Sequence, residues 1–476
     1  MLTYIFENTD IPLYEQVYKC IKNDIITGIL KPGEKLPSKR TFANNNGIST
    51  ITIQNAYDQL ISEGYIFTIP KKGYYVTDME RMITIPKESK ISLDIKMPKA
   101  SAKYDVDLSS NKVNPDNFPF SVWAKLLRET ISNRCRELME VPPTGGIFEL
   151  RQAISEYLKS FRGMLVDPNQ IIIGAGTEYL YGLLVQLLGS DKVYCIENPG
   201  YKKLEQIYGR YNIKCTYSDM DDNGITVEGL RKCGADIAHI SPTHHFPTGK
   251  TMPANRRYEV LAWANEKKGR YIIEDDYDSE FRANGKPIPT MSSIDACEKV
   301  IYMNTFSKSL TPTIRISYMI LPVHLVNRFY EQLSFYSCTV SNFEQYTLAA
   351  FINKGYFEKH INRMRLYYIR QRKQLIDYIE KSKLNDYCEI IENESGLHFL
   401  IKLNTKLNDR EVRKRLKKEG ILMRALSEYY LTTDICKEHY FIINYSCIDM
   451  EKIADACEAI YRCIAPPETD DENEKM

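Results

Sequence analysis

The sequence predicts an α/β protein in which a small N-terminal domain of helices precedes a larger domain built on a mostly parallel sheet. The main observation is that short apolar segments alternate with amphipathic segments between residues 171 and 320, as is typical of βα units. The chain has 476 residues, too many for one ordinary core, which predicts at least two domains. Residues 78–105 turn to Lys, Ser, Pro and Met without clear periodicity, which indicates a linker.

Composition narrows the classes of function. The net charge is only +1, so any nucleic-acid site has to be local. The 12 cysteines form no CxxC pair and have no metal-like spacing with histidine, and we expect them to be reduced and to bind no metal. The first residues lack the charged and long apolar regions typical of a signal peptide, and no apolar run is long enough to span a bilayer. We therefore expect a cytoplasmic protein with no membrane partner.

Residues 1–77 predict three short helices followed by a β-hairpin. The first helix begins at Pro12, and Ser38 and Ser49 can cap the second and third helices. Between residues 65 and 77, two strand-like segments flank a basic turn. Three helices with a tight turn between the second and third, followed by a basic-tipped hairpin, make a winged helix-turn-helix.

The third helix of this domain is expected to enter the major groove of double-stranded DNA. It exposes hydroxyl and amide groups, including those of Asn55 and Gln59, that can bind phosphates or base edges, and basic residues flank it. A small protein-interaction module with a polar helix face is the alternative. The candidate DNA-binding residues are Lys39, Arg40, Ser49, Thr50, Thr52, Gln54, Lys71 and Lys72.

The segments Pro12–Val17, Ile29–Arg40 and Glu63–Tyr65 resemble the DNA-binding head of GntR-family regulators. The resemblance covers nearly all of residues 1–77 and implies that Arg40, Ser49, Thr52 and the wing contact DNA. The family usually has an arginine at the position of Thr50, and the third helix here has none. This difference bears on which DNA sequence is bound.

The larger domain is predicted to span residues 106–465, followed by a disordered acidic tail at 466–476. Seven apolar segments are its predicted strands. They are residues 171–173, 193–196, 213–215, 237–240, 271–273, 300–303 and 317–320.

Polar residues gather where these strands end, and in open α/β sheets ligands bind beyond the carboxyl ends of the strands. Gly176 and Thr177 follow the first strand and begin a helix. Backbone N–H groups at such a turn can hold a phosphate, although an ordinary helix cap uses the same residues. Tyr201 follows the second strand, where it could lie against a flat ring or be an ordinary turn tyrosine.

Two polar clusters follow later strands. His244 and His245 suggest a metal, but adjacent side chains diverge and no carboxylate or cysteine is suitably spaced, so we predict no metal site. In the acidic segment 274–281, Asp275 could keep a pyridine nitrogen protonated and Tyr277 could bind a phenolic oxygen. A solvated acidic loop or a divalent-metal site is the alternative for this segment.

Lys308 follows the sixth apolar segment, with the hydroxyls of Thr305 and Ser307 before it and Arg315 seven residues later. An amine beside hydroxyls and a cation is what a Schiff base with pyridoxal phosphate (PLP) requires, the amine for the aldehyde and the other groups for the phosphate. Each element is ambiguous alone. Their order along the chain, from phosphate cradle through acid and tyrosine to lysine and arginine, predicts a PLP site.

Together with these motifs, the segments Leu150–Leu158, Arg162–Gly163 and Glu274–Phe281 resemble fold-type I aminotransferases, specifically the aminotransferase-like domain of MocR-type (GabR/PdxR-like) regulators. The resemblance implies a large, mostly parallel sheet, a small C-terminal α+β subdomain and PLP as cofactor. It assigns the Schiff base to Lys308 and the pyridine nitrogen to Asp275, with Asp276 as the alternative if the register differs by one residue.

The remaining roles also follow from the resemblance. Tyr277 would bind the phenolic oxygen and Tyr201 would stack near the ring. Thr177, Thr305 and Arg315 would hold the phosphate, and the phosphate cradle and hydroxyls described above add Gly176 and Ser307 to the predicted cofactor-binding residues.

The residues expected to bind the effector differ from the family pattern. Lys203 stands where the family has an arginine that binds the ligand's carboxylate. Lysine is a point charge, whereas arginine binds a carboxylate with two parallel hydrogen bonds. Arg424 is the other candidate, although it could be an ordinary surface arginine. The resemblance implies a head-to-tail homodimer.

The first hypothesis is a PLP-dependent, DNA-binding transcriptional regulator that senses an amino-acid-type metabolite or PLP itself. The alternative is an active aminotransferase with a DNA-binding head, since both need the same cofactor chemistry. A scaffold with a vestigial pocket is a third reading, which the intact lysine, acid and arginine disfavour.

Overall fold

The computed structural model describes residues 2–6, 11–78, 102–109, 113–282, 288–391, 396–432 and 436–465. The chain divides into two compact units, residues 1–100 and 101–476. Most of the predicted linker (79–101) and the whole predicted acidic tail lie outside the described residues. No helix of the described residues is long and apolar enough to cross a membrane.

The N-terminal unit is a three-helix domain with a two-stranded wing. Its elements are α1 (Leu13–Ile26), α2 (Lys39–Asn46), α3 (Thr50–Ser62), β1 (Ile66–Ile69) and β2 (Gly73–Val76). The two strands pair antiparallel. Val17, Ile21 and Phe42 pack in its core. Leu13 is 45% exposed in the first turn of α1, and Cys20 is half-buried.

The second unit is built on one large sheet. Its first half comprises β3 (Val106–Asp107), α4 (Phe120–Asn133), α5 (Phe148–Arg162), β4 (Ile171–Gly174), α6 (Thr177–Leu188), β5 (Val193–Asn198), α7 (Lys202–Arg210), β6 (Lys214–Asp221), β7 (Gly224–Ile225), α8 (Val227–Lys232), β8 (Ile237–Ile240) and α9 (Ala254–Asn265). Then follow β9 (Tyr271–Asp275), α10 (Met291–Ile294), β10 (Val300–Thr305), α11 (Phe306–Ser309), β11 (Ser317–Ile320), α12 (Val323–Leu333) and α13 (Asn342–Asn353).

The strand order in this sheet is β4-β11-β10-β9-β8-β5-β6-β7. Pairing is parallel from β10 through β9, β8 and β5 to β6, and antiparallel where β11 and β7 join. The seven predicted strands are all present, which confirms the α/β class. The third differs at both ends, because β6 begins at Lys214 and continues through polar residues to Asp221 while it pairs with β5.

A smaller C-terminal part carries the predicted α+β subdomain. It comprises α14 (Tyr356–Lys381), β12 (Cys388–Ile391), β13 (His398–Leu403), α15 (Asp409–Lys418), β14 (Ile421–Leu422), β15 (Arg424–Ala425), β16 (Tyr440–Asn444) and α16 (Ile453–Ile464). Four of these strands form an antiparallel sheet in the order β12-β13-β16-β15.

Candidate functional site

A cavity of about 940 Å³ opens where the parallel strands of the large sheet end, a size typical of small-molecule sites. Because β4, β5, β8, β9 and β10 run in the same direction, the residues that follow them meet at one edge of the sheet. All the cofactor and effector residues predicted from the sequence line this cavity. They are Gly176, Thr177, Tyr201, Lys203, Asp275, Tyr277, Thr305, Ser307, Lys308, Arg315 and Arg424.

One end of the cavity is suited to an anion. Gly176 precedes α6 with a φ of 90°, in the left-handed region that favours glycine. A Cβ at this position would overlap the guanidinium of Arg315, so the absence of a side chain leaves room for that cation beside the first N–H groups of α6. The buried hydroxyl of Ser307 has no hydrogen-bond partner among the described residues.

Thr305 contributes to this end mainly by shaping the backbone. Its hydroxyl oxygen accepts a hydrogen bond from the N–H of Ser307 at 3.1 Å and another from the hydroxyl of Ser317 at 2.8 Å. These bonds cap the short helix α11, which carries Ser307 and Lys308. Thr305 therefore orients the residues that follow it.

Asp275 ends β9 and directs its carboxylate into the cavity. Its Oδ2 accepts a hydrogen bond from the hydroxyl of Tyr181 at 2.8 Å and lies 3.7 Å from Nε2 of His239. His239 is itself held by Tyr208, whose hydroxyl lies 2.7 Å from the other ring nitrogen. The second oxygen of Asp275 is buried and has no hydrogen-bond partner within the described part of the chain. The carboxylate is thus fixed on one side and free to accept on the other.

Asp276 points away from Asp275, since consecutive side chains of an extended strand project to opposite faces. It forms an ion pair with Arg162 and accepts a hydrogen bond from the hydroxyl of Tyr302 at 2.7 Å. The side chains of Asp276 and Arg162 are each only 1% exposed. This geometry favours Asp275 over the alternative Asp276 for a ligand in the cavity, and it does not fit a solvated acidic loop.

Lys308 lies in α11, with its amine largely buried against the cavity wall. Burial lowers the pKa of this amine to about 8, while the nearby carboxylates of Asp278 and Asp275 act in the opposite direction. A buried amine with a lowered pKa is available as a nucleophile near neutral pH.

Tyr277 is held by a buried histidine–aspartate pair. Its hydroxyl lies 3.2 Å from Nδ1 of His244, and the same nitrogen lies 2.8 Å from Oδ2 of Asp278. Burial, with the charge of Asp278 next, raises the pKa of the tyrosine hydroxyl well above its usual value. Gly396 packs directly on this pair, because a Cβ there would overlap the imidazole of His244. Tyr277 therefore keeps its proton and can donate it in a hydrogen bond.

The neighbouring His245 takes a different direction. Its Nδ1 lies 2.8 Å from the hydroxyl of Thr248, and its Nε2 lies 3.5 Å from Glu197. Burial lowers the pKa of His245 to about 3 and raises that of Glu197 to about 8. Among the residues that the structure describes, no group of His, Cys, Asp and Glu side chains is arranged to hold a metal ion.

The mouth of the cavity carries the predicted effector residues. Tyr201 is 45% exposed, and its ring meets that of Phe246 edge-on with centroids 6.2 Å apart. Lys203 forms an ion pair with Glu178. Arg424 is exposed and lines the same cavity. Lys203 thus has a carboxylate partner within the chain, and the same Glu178 also lies 3.9 Å from Arg315.

Sequence reasoning missed the residues that hold the cavity side chains in place. Tyr181 lies one helical turn after Thr177, on the same side of α6, and this spacing was the available signal. His239 was a polar residue inside an apolar strand. Nothing in the sequence singled out Asp278 as the partner of His244.

Most of the candidate DNA-binding residues are exposed on the N-terminal unit, and Lys39 and Thr52 are half-buried. Ser49 caps α3, where its hydroxyl accepts a hydrogen bond from the N–H of Thr52 at 3.1 Å. The hydroxyls of these two residues lie 2.8 Å apart, so both help to begin the helix. Arg40 is exposed in the first turn of α2, and Lys71 and Lys72 are exposed in the turn of the wing.

Family models match both units. Residues 13–76 match the gntR family of bacterial regulatory proteins. Residues 103–460 match the aminotransferase class I and II family.

Relatives share this arrangement over nearly their whole length. The chain is 36% identical to the HTH-type transcriptional regulator YdeL of Bacillus subtilis over 427 residues, which are 90% of this chain and 92% of YdeL. It is 28% identical over 476 residues to the probable rhizopine catabolism regulatory protein MocR of Rhizobium meliloti, covering 95% and 94%. The fold resembles the kynurenine aminotransferase of Pyrococcus horikoshii with a TM-score of 0.68 at 23% identity, covering 81% of this chain and 97% of that one.

Proposed function

Since the chain belongs to the MocR-type transcriptional regulators of the GntR family, with an aminotransferase class I and II domain behind a helix-turn-helix head, we propose that it binds PLP through Lys308 and uses the bound cofactor to sense a small molecule. The effector is an amino-acid-type metabolite or PLP itself. Its binding would alter how the head engages an operator.

The observation that carries the proposal is that one cavity collects an amine, a carboxylate and an anion-binding end. The residues fit PLP. Two buried oxygens have no hydrogen-bond partner within the described ranges: the second oxygen of Asp275 could accept from a protonated ring nitrogen, and the hydroxyl of Ser307 could donate to a phosphate. Bound PLP would supply an aldehyde for the amine of Lys308 and a ring that withdraws electrons.

The other residues would position the ring. Tyr277 would donate a hydrogen bond to the phenolic oxygen, since its hydroxyl stays protonated. Arg315 and the N–H groups at Thr177 would hold the phosphate, and Tyr201 would cover the ring at the cavity mouth.

For the effector, Arg424 is a better carboxylate ligand than Lys203. Lys203 is already paired with Glu178, so a second carboxylate bound there would be repelled by the negative charge of the first. Arg424 is exposed at the cavity and offers the planar fork that suits a carboxylate.

The GntR-type head implies DNA binding. Helix-turn-helix heads commonly act in pairs on two half-sites, which favours a homodimer; its head-to-tail arrangement is what the resemblance to the family implies. A regulator of this kind would meet its operator in the cytoplasm.

The PLP assignment is tested by the visible absorption of the purified protein after addition of PLP. The wild type should show the absorption of lysine-bound cofactor, and borohydride reduction should fix the cofactor mass to the peptide that contains Lys308. Lys308→Ala should lose both signals, while Lys203→Ala should keep them. A reduced adduct on another lysine would contradict the assignment, and circular dichroism would verify that Lys308→Ala is folded.

The alternative function, an active aminotransferase with a DNA-binding head, is favoured by one observation, namely that the lysine, carboxylate and arginine needed for catalysis all line the cavity. The relatives YdeL and MocR are regulators, which favours the sensing function over the enzymatic one. The two are separated by incubating the PLP-loaded protein with amino acids and a keto acid. Sustained turnover would support the enzyme, whereas a change in operator affinity without turnover would support the regulator.

A further inference from the structure

The helix α3 carries no lysine and no arginine anywhere between Thr50 and Ser62. Its buried side is formed by Ile53, Ala56, Tyr57 and Leu60. The opposite side is therefore composed of residues at positions 51, 54, 55 and 58, which follow the spacing of neighbours on one helix face. All four of these side chains are exposed.

Three side chains of this exposed stripe have defined partners among the edges of base pairs. Gln54 and Asn55 carry amide groups, which can bind the N6 and N7 atoms of adenine together. Ile51 is 71% exposed, although it is purely apolar. In the major groove an apolar side chain contacts the methyl group of thymine. Guanine is read most often by arginine or lysine, which α3 does not contain.

The fourth residue of the stripe, Asp58, lies farther from the bases. It is seven residues beyond Ile51, which corresponds to about 10 Å along the helix axis. Helix-turn-helix proteins contact base edges with the N-terminal residues of the recognition helix. The N-terminal half of α3 therefore determines the sequence preference.

The cations of the head lie outside α3. Arg40 is in the first turn of α2, Lys71 and Lys72 are in the wing, and the amine of Lys39 lies over the ring of Tyr74 at 5.8 Å. Cations in these places can neutralise phosphates, which supports affinity but does not distinguish one base pair from another in the major groove.

We propose that α3 selects A·T base pairs in the major groove of each half-site, with Gln54 and Asn55 bound to adenines and Ile51 packed against a thymine methyl. This inference rests on the proposed DNA-binding function and specifies its partner. The base pairs that face Ile51, Gln54 and Asn55 are A·T, whatever the flanking sequence.

The first test selects binding sites for the full-length protein from a random duplex library. Selected half-sites should share a core of A·T pairs. Recovery of no enriched sequence would contradict the proposed DNA-binding function itself. Enrichment of a G·C core would leave that function standing and overturn the assignment to A·T pairs.

The second test separates direct contact from DNA shape, since a narrow A·T-rich minor groove also attracts basic residues. Replacing core thymines by uracil removes only the methyl group, and replacing adenines by 7-deazaadenine removes only the N7 acceptor. Uracil should weaken wild-type binding about fourfold for one buried methyl, and Ile51→Ala should abolish this sensitivity. Insensitivity of the wild type to both replacements would overturn the proposed contacts.

The third test uses amino-acid substitutions on the selected site. Gln54→Ala and Asn55→Ala should each lower affinity about 5- to 150-fold, the range for one bidentate contact. Asn23→Ala, which removes an exposed amide from α1, serves as the matched control and should leave affinity unchanged. Thr50→Arg should shift the selected sequence toward G·C. A selected sequence unchanged by Gln54→Ala, Asn55→Ala and Thr50→Arg would contradict the proposal.

Discussion

The amine of Lys308 should react as a nucleophile at a pH where exposed lysines are almost fully protonated. Burial lowers its pKa to about 8, whereas an ordinary lysine has a pKa of about 10.4. At pH 7 the neutral fraction is then about 9% for Lys308 and about 0.04% for an exposed lysine. The neutral form attacks an aldehyde, so Lys308 has roughly a 200-fold advantage before any effect of positioning.

This advantage can be measured in cofactor-free protein by a short pulse of acetic anhydride at a series of pH values, followed by peptide mass spectrometry. The labelling rate of Lys308 should rise about tenfold per pH unit below about pH 8 and level off above it. Other lysines in the same sample provide the internal reference, because exposed amines should continue to gain reactivity up to about pH 10.

A substitution tests the cause of the shift. The carboxylate of Asp278 favours the charged amine, so Asp278→Asn should move the midpoint of Lys308 labelling to a lower pH. The matched control is Asp222→Asn, which removes a carboxylate from a side chain that is 96% exposed. A midpoint above pH 10 for the wild type, or one that Asp278→Asn raises, would refute the reasoning.

Three further predictions concern the cavity and its support. Asp276→Asn removes the carboxylate that pairs with the buried Arg162 and should cost about 3–5 kcal/mol of folding free energy. With an unfolding entropy of about 2.1 cal/mol/K for each of roughly 360 residues, this lowers the Tm by about 4–7 °C. An unchanged melting temperature would contradict this prediction. Burial raises the pKa of Glu197 to about 8, so the folded protein keeps this proton while the unfolded chain loses it, and wild-type stability should fall as pH rises from about 4.5 to about 8. The Tm of Glu197→Gln should therefore exceed that of the wild type by an amount that grows over this range. A Tm difference that stays constant with pH would argue against the prediction. Gly176→Ala should crowd Arg315 and weaken binding of PLP more than binding of pyridoxal, which lacks the phosphate; equal losses in titrations would rule out a phosphate contact.

The strands and the cavity residues could be predicted because their signals are local. Most strands of the large sheet are short apolar runs, and parallel strands end at the same edge, so Asp275, Tyr277 and Lys308 were expected to lie together. The supporting contacts could not be predicted, since they join residues far apart in the chain. Tyr181 and Asp275 are separated by 94 positions, and no periodic pattern connects them.

The effector residues show a second limit of the sequence. Lys203 could be recognised as a change from the expected arginine, but its pairing with Glu178 depends on how α7 lies beside α6. In the head, the polar face of α3 was visible from helical spacing. The exposure of Ile51 was not, because an isoleucine in an amphipathic helix is ordinarily assigned to the core.

The opposed directions of Asp275 and Asp276 also matter for how this family is compared across organisms. Because two aspartates stand side by side, a sequence alignment cannot tell which of them a homologue's aspartate corresponds to. One misplaced gap would equate the carboxylate that faces the cavity with the carboxylate that is buried against Arg162. The partners resolve the ambiguity: whichever acid in a homologue meets the tyrosine from α6 corresponds to Asp275, and whichever meets the arginine at the end of α5 corresponds to Asp276. Evolutionary rates at the two positions should therefore be tracked jointly with Tyr181 and Arg162.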